Sequence, residues 1–166
     1  MPLPTKAECW YVWSMLQSEL INPPQVTRWA DELVLALDRV PAWLGDLSAA
    51  RDQNGALAAL EAYVSAPPFE PIPTQLDDFQ LGCLWLRHES GELSWADFLE
   101  RAGLHLDGSM ASWECETPYF FLDRHRSAGF SEASEEETKR EFLEECELGP
   151  WAELAASKRA PFRELD

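Results

Sequence analysis

The chain has 166 residues and sets 30 acidic side chains against 13 basic ones, a formal charge of −17. Such a field repels phosphate backbones and anionic membranes and draws in basic partners, which argues against direct DNA or RNA binding. No apolar run approaches the ~20 residues a bilayer crossing requires, and a chain of this length buries roughly 70% of its unfolded surface without needing disulfides or metal.

The apolar set is 23 Leu and 20 Ala against 5 Val and 2 Ile. Unbranched side chains lose little freedom in a helix, whereas β-branched ones favour sheets. The expectation is an all-α fold of about seven helices. Thr5 followed by Glu8 is a capping box, and the helix it opens runs to about Ile21, with Cys9, Val12, Trp13, Leu16 and Leu20 on its core face. Asn22-Pro23-Pro24 stops that helix and starts the next, whose stripe of Val26, Trp29, Ala30, Leu33, Val34 and Leu37 reaches Val40-Pro41. Residues 41–48 read as a tight turn with one helical twist, followed by a helix over Gly55 to Val64.

Four prolines in the eight residues 66–73 rule out helix there and predict an extended connector. It divides the chain into lobes 1–65 and 74–166, expected to pack as one domain, with Phe69 and Ile72 as anchors. Thr74 with Asp77 is read as the start of the next helix, and Ser94 with Asp97 as the start of another, ended by Gly103 as its C-terminal cap. Tyr119-Phe120-Phe121-Leu122, within 113–126, fits a buried strand or a buried helix, which periodicity does not separate. Ser134 with Glu137 opens a late helix to Leu148, stopped by Gly149-Pro150. A short tail helix covers Trp151 to about Lys158. Trp29-Ala30-Asp31, Trp95-Ala96-Asp97 and Trp151-Ala152-Glu153 recur at unequal separations, so they read as packing tryptophans near helix starts rather than a repeat.

Reactive chemistry finds little support. His105 with Asp107 and Asp123 with His125 each set a carboxylate two residues from an imidazole, a pattern compatible with a metal or with acid–base work. Neither a zincin helix nor a paired Cys-x-x-Cys accompanies them, so no metal and no catalytic residue is assigned. Cys115 lies between Glu114 and Glu116, whose charges oppose a thiolate. Glycine is scarce and forms no phosphate loop, so no cofactor is implied. The four cysteines, Cys9, Cys83, Cys115 and Cys146, read as reduced thiols of a cytoplasmic protein, with a disulfide pair left open because sequence gives no Cys–Cys distance. The first residues lack the order of a secretion signal.

The most distinctive stretch is Ser131 to Leu148. On a helix Phe142, Leu143 and Cys146 form its anchor, while Glu137, Glu141, Glu144 and Glu145 share another side. Stacked like charges cost a few tenths of a kcal/mol per pair, a repulsion that a basic partner would relieve; the plain alternative is a solvated face. Among eight tryptophans, Trp10 lies beside the core stripe of its helix and is the best candidate for an exposed binding aromatic.

Two stretches carry a resemblance: Trp29-Ala30-Asp31-Glu32-Leu33 leading to Pro41-Ala42-Trp43-Leu44-Gly45-Asp46-Leu47-Ser48, and Leu84-Trp85-Leu86-Arg87 with residues 90–99 and Ala102-Gly103. Over about half the chain they resemble small acidic immunity proteins of bacterial polymorphic or contact-delivered toxins. The resemblance implies a cytoplasmic protein that plugs the active site of a basic toxin domain; it transfers no binding residues. The partner-binding residues expected are therefore Glu137, Glu141, Glu144, Glu145 and Trp10. The rival readings are a DNA-mimic protein, a small enzyme using His105/Asp107 and Asp123/His125, and a subunit or adaptor of a larger assembly.

Overall fold

Where a side chain can take over the free N–H groups of a first turn, a helix starts. The computed structural model describes residues 2–163, and among these it has nine α-helices and no strand. They are α1 (Lys6–Gln17), α2 (Pro23–Ala36), α3 (Ala42–Ser48), α4 (Gln53–Val64), α5 (Leu76–Glu89), α6 (Trp95–Leu106), α7 (Glu116–Ser127), α8 (Glu132–Glu145) and α9 (Gly149–Arg163). The all-α class holds. Two helices exceed the expected seven: Ala42–Ser48 form the helix α3, with Pro41 at its N-cap, and the ambiguous aromatic run lies in α7.

Thr5 caps α1 as a complete box, its hydroxyl accepting from Glu8 N while the Glu8 carboxylate accepts from Thr5 N at 2.7 Å. Asn22 and Gln25 form a second box at α2, with prolines at its first turn; proline is tolerated there because those N–H groups lack intrahelical partners. Ser94 caps α6 as expected, its hydroxyl accepting from Asp97 N at 3.1 Å.

Four expected boundaries need correction. Gln75 has φ +71°, so Thr74 does not cap α5, and Asp77 instead accepts from Met110 N at 2.8 Å. Gly103 is no cap: α6 runs on to Leu106, and the glycine admits the Tyr119 ring, 2.7 Å from where a Cβ would stand. Ser131, not Ser134, caps α8, and Ser134 is buried inside it. Gly149-Pro150 begins α9 rather than ending α8, which stops at Glu145. Trp29 also sits mid-helix in α2, away from a helix start.

The chain forms two compact units. The first comprises the chain up to Leu76 and the stretch from Ser157 onward; the second is Asp77–Ala156. The first therefore includes the connector and the end of α9, a placement that lobes cut at 65 and 74 do not describe. In this unit α1 packs on α4, and α3 on α2 and α4. Its buried core is chiefly aliphatic, with Met15, Leu16, Leu20, Ile21, Leu33, Leu44, Leu47 and Leu60 all but inaccessible. Lys6, buried beside the Tyr63 ring, donates to the carbonyls of Ala66 and Pro68 and ties the connector to α1. Phe69 and Ile72 do not anchor it; both are exposed.

In the second unit α6 packs on α7 and α7 on α8. Trp85, Trp95, Phe98, Phe121 and Phe142 fill its centre, with Trp95 and Phe98 stacked at 5.3 Å and Phe142 set edge-on to both. The start of α5 fixes the segment before α7: buried Asp78 accepts from Ser112 N at 2.7 Å and from its hydroxyl at 2.8 Å. All four cysteines are free thiols. Burial pushes Cys9 and Cys146 up to about 12, and burial followed by the Glu116 hydrogen bond raises Cys115 as well. Raised thiols are poor nucleophiles.

Candidate functional site: the α7–α8 face

A helix buries one stripe, so four consecutive large apolar residues in α7 cannot all point inward. Phe121 and Leu122 enter the core together with Pro118 and His125, while Phe120 is left 58% exposed. Arg124, one turn further on, sets its guanidinium over the Phe120 ring at 5.6 Å. Arg124 lies on the flank of α7 that meets α8, where it pairs with Glu141, and Phe120 stands one turn before it.

The inward stripe of α8 is Ser134, Thr138 and Phe142, four residues apart, continued by Cys146 just past its end. Its first half is polar for a reason. Trp95 Nε1 donates to Thr138 Oγ1 at 2.9 Å, and His125 Nδ1 lies 3.2 Å from Ser134 Oγ. A buried indole or imidazole left without a partner costs about 1–3 kcal/mol. Leu143, expected in the anchor, is 39% exposed instead.

The glutamates expected to share one side prove unequal. Glu141 is half-buried and bonds Arg124 through both carboxylate oxygens. Glu137 joins the same guanidinium at 3.8 Å and remains exposed. The Arg124 hydrogen bond holds the Glu141 carboxyl below the usual carboxylate range, and Glu141 in turn raises Arg124. Glu144 and Glu145 are exposed, and neither forms an ion pair among the described residues. Beginning at the Arg124–Glu141 pair, one turn toward the start of α7 reaches Phe120, and one turn toward the end of α8 reaches Glu144 and Glu145. The short connection Ala128–Ser131 makes the two helices antiparallel, so these positions come level. The site is an exposed aromatic on α7 at the level of exposed carboxylates on α8 that form no ion pair among the described residues, braced by the Arg124–Glu141 pair.

That connection is itself tightly set. Gly129 and Phe130 have φ +67° and +55°, with Phe130 N donating to His125 O at 3.0 Å. A phenylalanine in this left-handed region is strained by about 1–3 kcal/mol, and its ring packs edge-on against His125 at 5.2 Å.

The remaining expected residues lie elsewhere. Trp10 belongs to α1 in the first unit, half-buried and edge-on to Trp13 at 5.8 Å. His105 Nε2–H donates to the Asp77 carbonyl at 2.9 Å and His125 is buried against Ser134 and Phe130, while Asp107 and Asp123 are exposed and hydrogen-bond to neither ring. The two histidine–aspartate pairs therefore do not converge. Among the described residues no group of three or more His, Cys, Asp or Glu is placed to hold a metal ion, and no helix is long and apolar enough to cross a membrane.

Sequence reading missed Phe120 and Arg124. The signal was present in the four-residue apolar run with an arginine four places after Phe120, but it acquires meaning only once α7 is helical. Comparison with family models, with curated proteins and with solved structures finds no match.

Proposed function

We propose that this chain is a binding protein that neutralises a basic partner, in the manner of the immunity proteins it resembles, and that the α7–α8 face makes the contact. The observation that carries the reading is Phe120, a large aromatic left in solvent one turn from the Arg124–Glu141 pair, on a face whose exposed Glu144 and Glu145 form no ion pair among the described residues. Few residues carry most of an interface's energy, and aromatic anchors ringed by polar groups are favoured among them. The charge of −17 speeds encounter with a cationic surface, and the exposed carboxylates steer it. Arg124 neutralises Glu141 within the chain and holds α7 and α8 in register, so the partner meets a preformed surface. Occlusion of a toxin active site, and residence in the cytoplasm of the producing cell, rest on the resemblance. An exposed apolar anchor on the face supports protein docking over a DNA-mimic surface, which would present phosphate-like charge alone.

Where a neighbouring gene encodes a cationic protein, the test is association of this chain with that protein at low and at high salt. Glu144→Lys with Glu145→Lys should slow association and flatten its salt dependence, and Phe120→Ala should raise the dissociation rate about tenfold or more. These positions are preferable to Glu141, whose replacement would break the Arg124 pair as well. A doubly reversed variant that associates at the unaltered rate, together with an indifferent Phe120→Ala, rejects the proposal.

A further inference from the structure

A second feature of the molecule stands apart from the α7–α8 face. Within the first unit a cleft of about 410 Å3 opens between α1, α2, the end of α9 and the segment Pro2–Pro4. Small-molecule sites span roughly 300–1,000 Å3 and are mostly apolar with a few placed polar groups. Val12, Met15 and Leu33, all buried, line this cleft. Tyr11, Trp29 and Phe162 add aromatic surface, with the Trp29 and Phe162 rings 5.6 Å apart.

Two charged groups line it, and they differ in what they still need. The Glu8 carboxylate already accepts from Thr5 N at 2.7 Å and from Thr5 Oγ1 at 2.9 Å. These bonds, with a smaller contribution from Lys158, hold it below the usual range and ionised. Lys158 is half-buried with its Nζ 4.9 Å over the Tyr11 ring, and no oxygen among the described residues accepts a hydrogen bond from it. An ammonium carries three donors and no acceptor. A ring face attracts the charge but leaves those N–H groups unused. The unmet demand in the cleft is thus for an anionic oxygen beside a large apolar surface. Distant carboxylates are screened beyond about 8 Å at physiological ionic strength, and Glu8, the carboxylate lining the cleft, is turned to Thr5 N and Oγ1, with Lys158 only the smallest contribution to it.

We propose that the cleft binds a small amphiphile with a carboxylate head and an apolar tail, the carboxylate on Lys158 and the tail over Val12, Met15 and Leu33. This proposal does not depend on the α7–α8 face or on any protein partner.

Sodium decanoate below its micellar concentration is the probe, added to the full-length chain with methyl-labelled methionine, leucine and valine. Saturable shifts of the Met15, Val12 and Leu33 methyl signals are expected. Lys158→Met should weaken the binding roughly tenfold or more, the cost of losing a charge-assisted hydrogen bond. Lys158→Gln, which keeps a donor but not the charge, should fall between the two. Decyltrimethylammonium, with the same tail and opposite head, should bind no better than decanoate binds Lys158→Met. Circular dichroism checks that both variants fold, and either folded variant suffices for the comparison. No saturable shift with decanoate, equal binding of the cationic probe, or unchanged affinity in a folded Lys158 variant would each overturn the proposal.

Discussion

The two units solve the same packing problem with different side chains. In the first, aliphatic residues fill the centre and the tryptophans Trp10, Trp13, Trp29 and Trp43 are all half-buried. In the second, Trp85, Trp95, Phe98, Phe121 and Phe142 are the centre. Aliphatic chains carry no polar atoms, so these side chains ask for no hydrogen bond, and among the aromatics of this unit Trp29, Tyr11 and Phe162 line a cleft. An aromatic core has geometry to satisfy and, where tryptophan is used, an N–H to place. The second unit meets that demand by turning the first half of the α8 stripe into hydroxyls. Its inward face is therefore less apolar than a core helix would normally be.

The contrast can be broken most sharply at Phe98, which is fully buried between Trp85, Trp95 and Phe142. Phe98→Ala should cost about 3–5 kcal/mol, the range for emptying a buried aromatic site. Trp43, half-buried and stacked on Tyr63 at 4.2 Å, should cost about 1–3 kcal/mol when replaced by Ala, from partial burial and a single ring pair. Urea unfolding followed by far-ultraviolet circular dichroism measures both. Equal losses would mean that the rim tryptophans of the first unit are as structural as the centre of the second.

Thr138→Val sharpens the same comparison at nearly constant shape. It strands the Trp95 indole N–H, which donates to Thr138 at 2.9 Å, and should destabilise by about 1–3 kcal/mol despite making the stripe more apolar. A neutral or stabilising result in the same unfolding assay would show that the hydroxyl is incidental.

The smallest effect is expected at the surface, in the Arg124–Glu141 pair. Its folded-state carboxyl lies below the ordinary 4.5, chiefly through the Arg124 hydrogen bond. A depressed carboxyl contributes stability above its unfolded value and loses it as pH falls through the folded one. Arg124→Ala should therefore lower stability slightly near neutrality and flatten its decline on the acid side of 4.5. Unfolding measured across that range in both proteins checks the sign, and a variant with an undiminished acid decline would assign it to other carboxylates.

Much of this was legible in the order of residues. Leu and Ala richness set the all-helical class, because side-chain entropy favours them in helices. Thr5, Asn22 and Ser94 marked true helix starts, since caps act through N–H groups only two or three residues away. The acidic surface of α8 was readable for the same local reason: charged side chains seldom bury unpaired.

Longer-range matters were decided by packing. Gly103 has the look of a terminator, yet it lies within α6 because Tyr119 from α7 needs the space a Cβ would fill. Ser134 looks like a cap and is instead a buried partner of His125. Glu141 reads like its neighbours until Arg124, 17 residues earlier, is placed against it. Phe120 stands in a run of four apolar residues, and only the docking of α7 on α6 and α8 selects which of them faces water. Sequence alone determined the all-helical class, the starts of α1, α2 and α6 and the sign of the surface, because those follow from each residue and its nearest neighbours. The tertiary structure decided which carboxylates stay unpaired, which aromatic is exposed and where Lys158 meets an apolar cleft, because each depends on what a distant segment brings alongside.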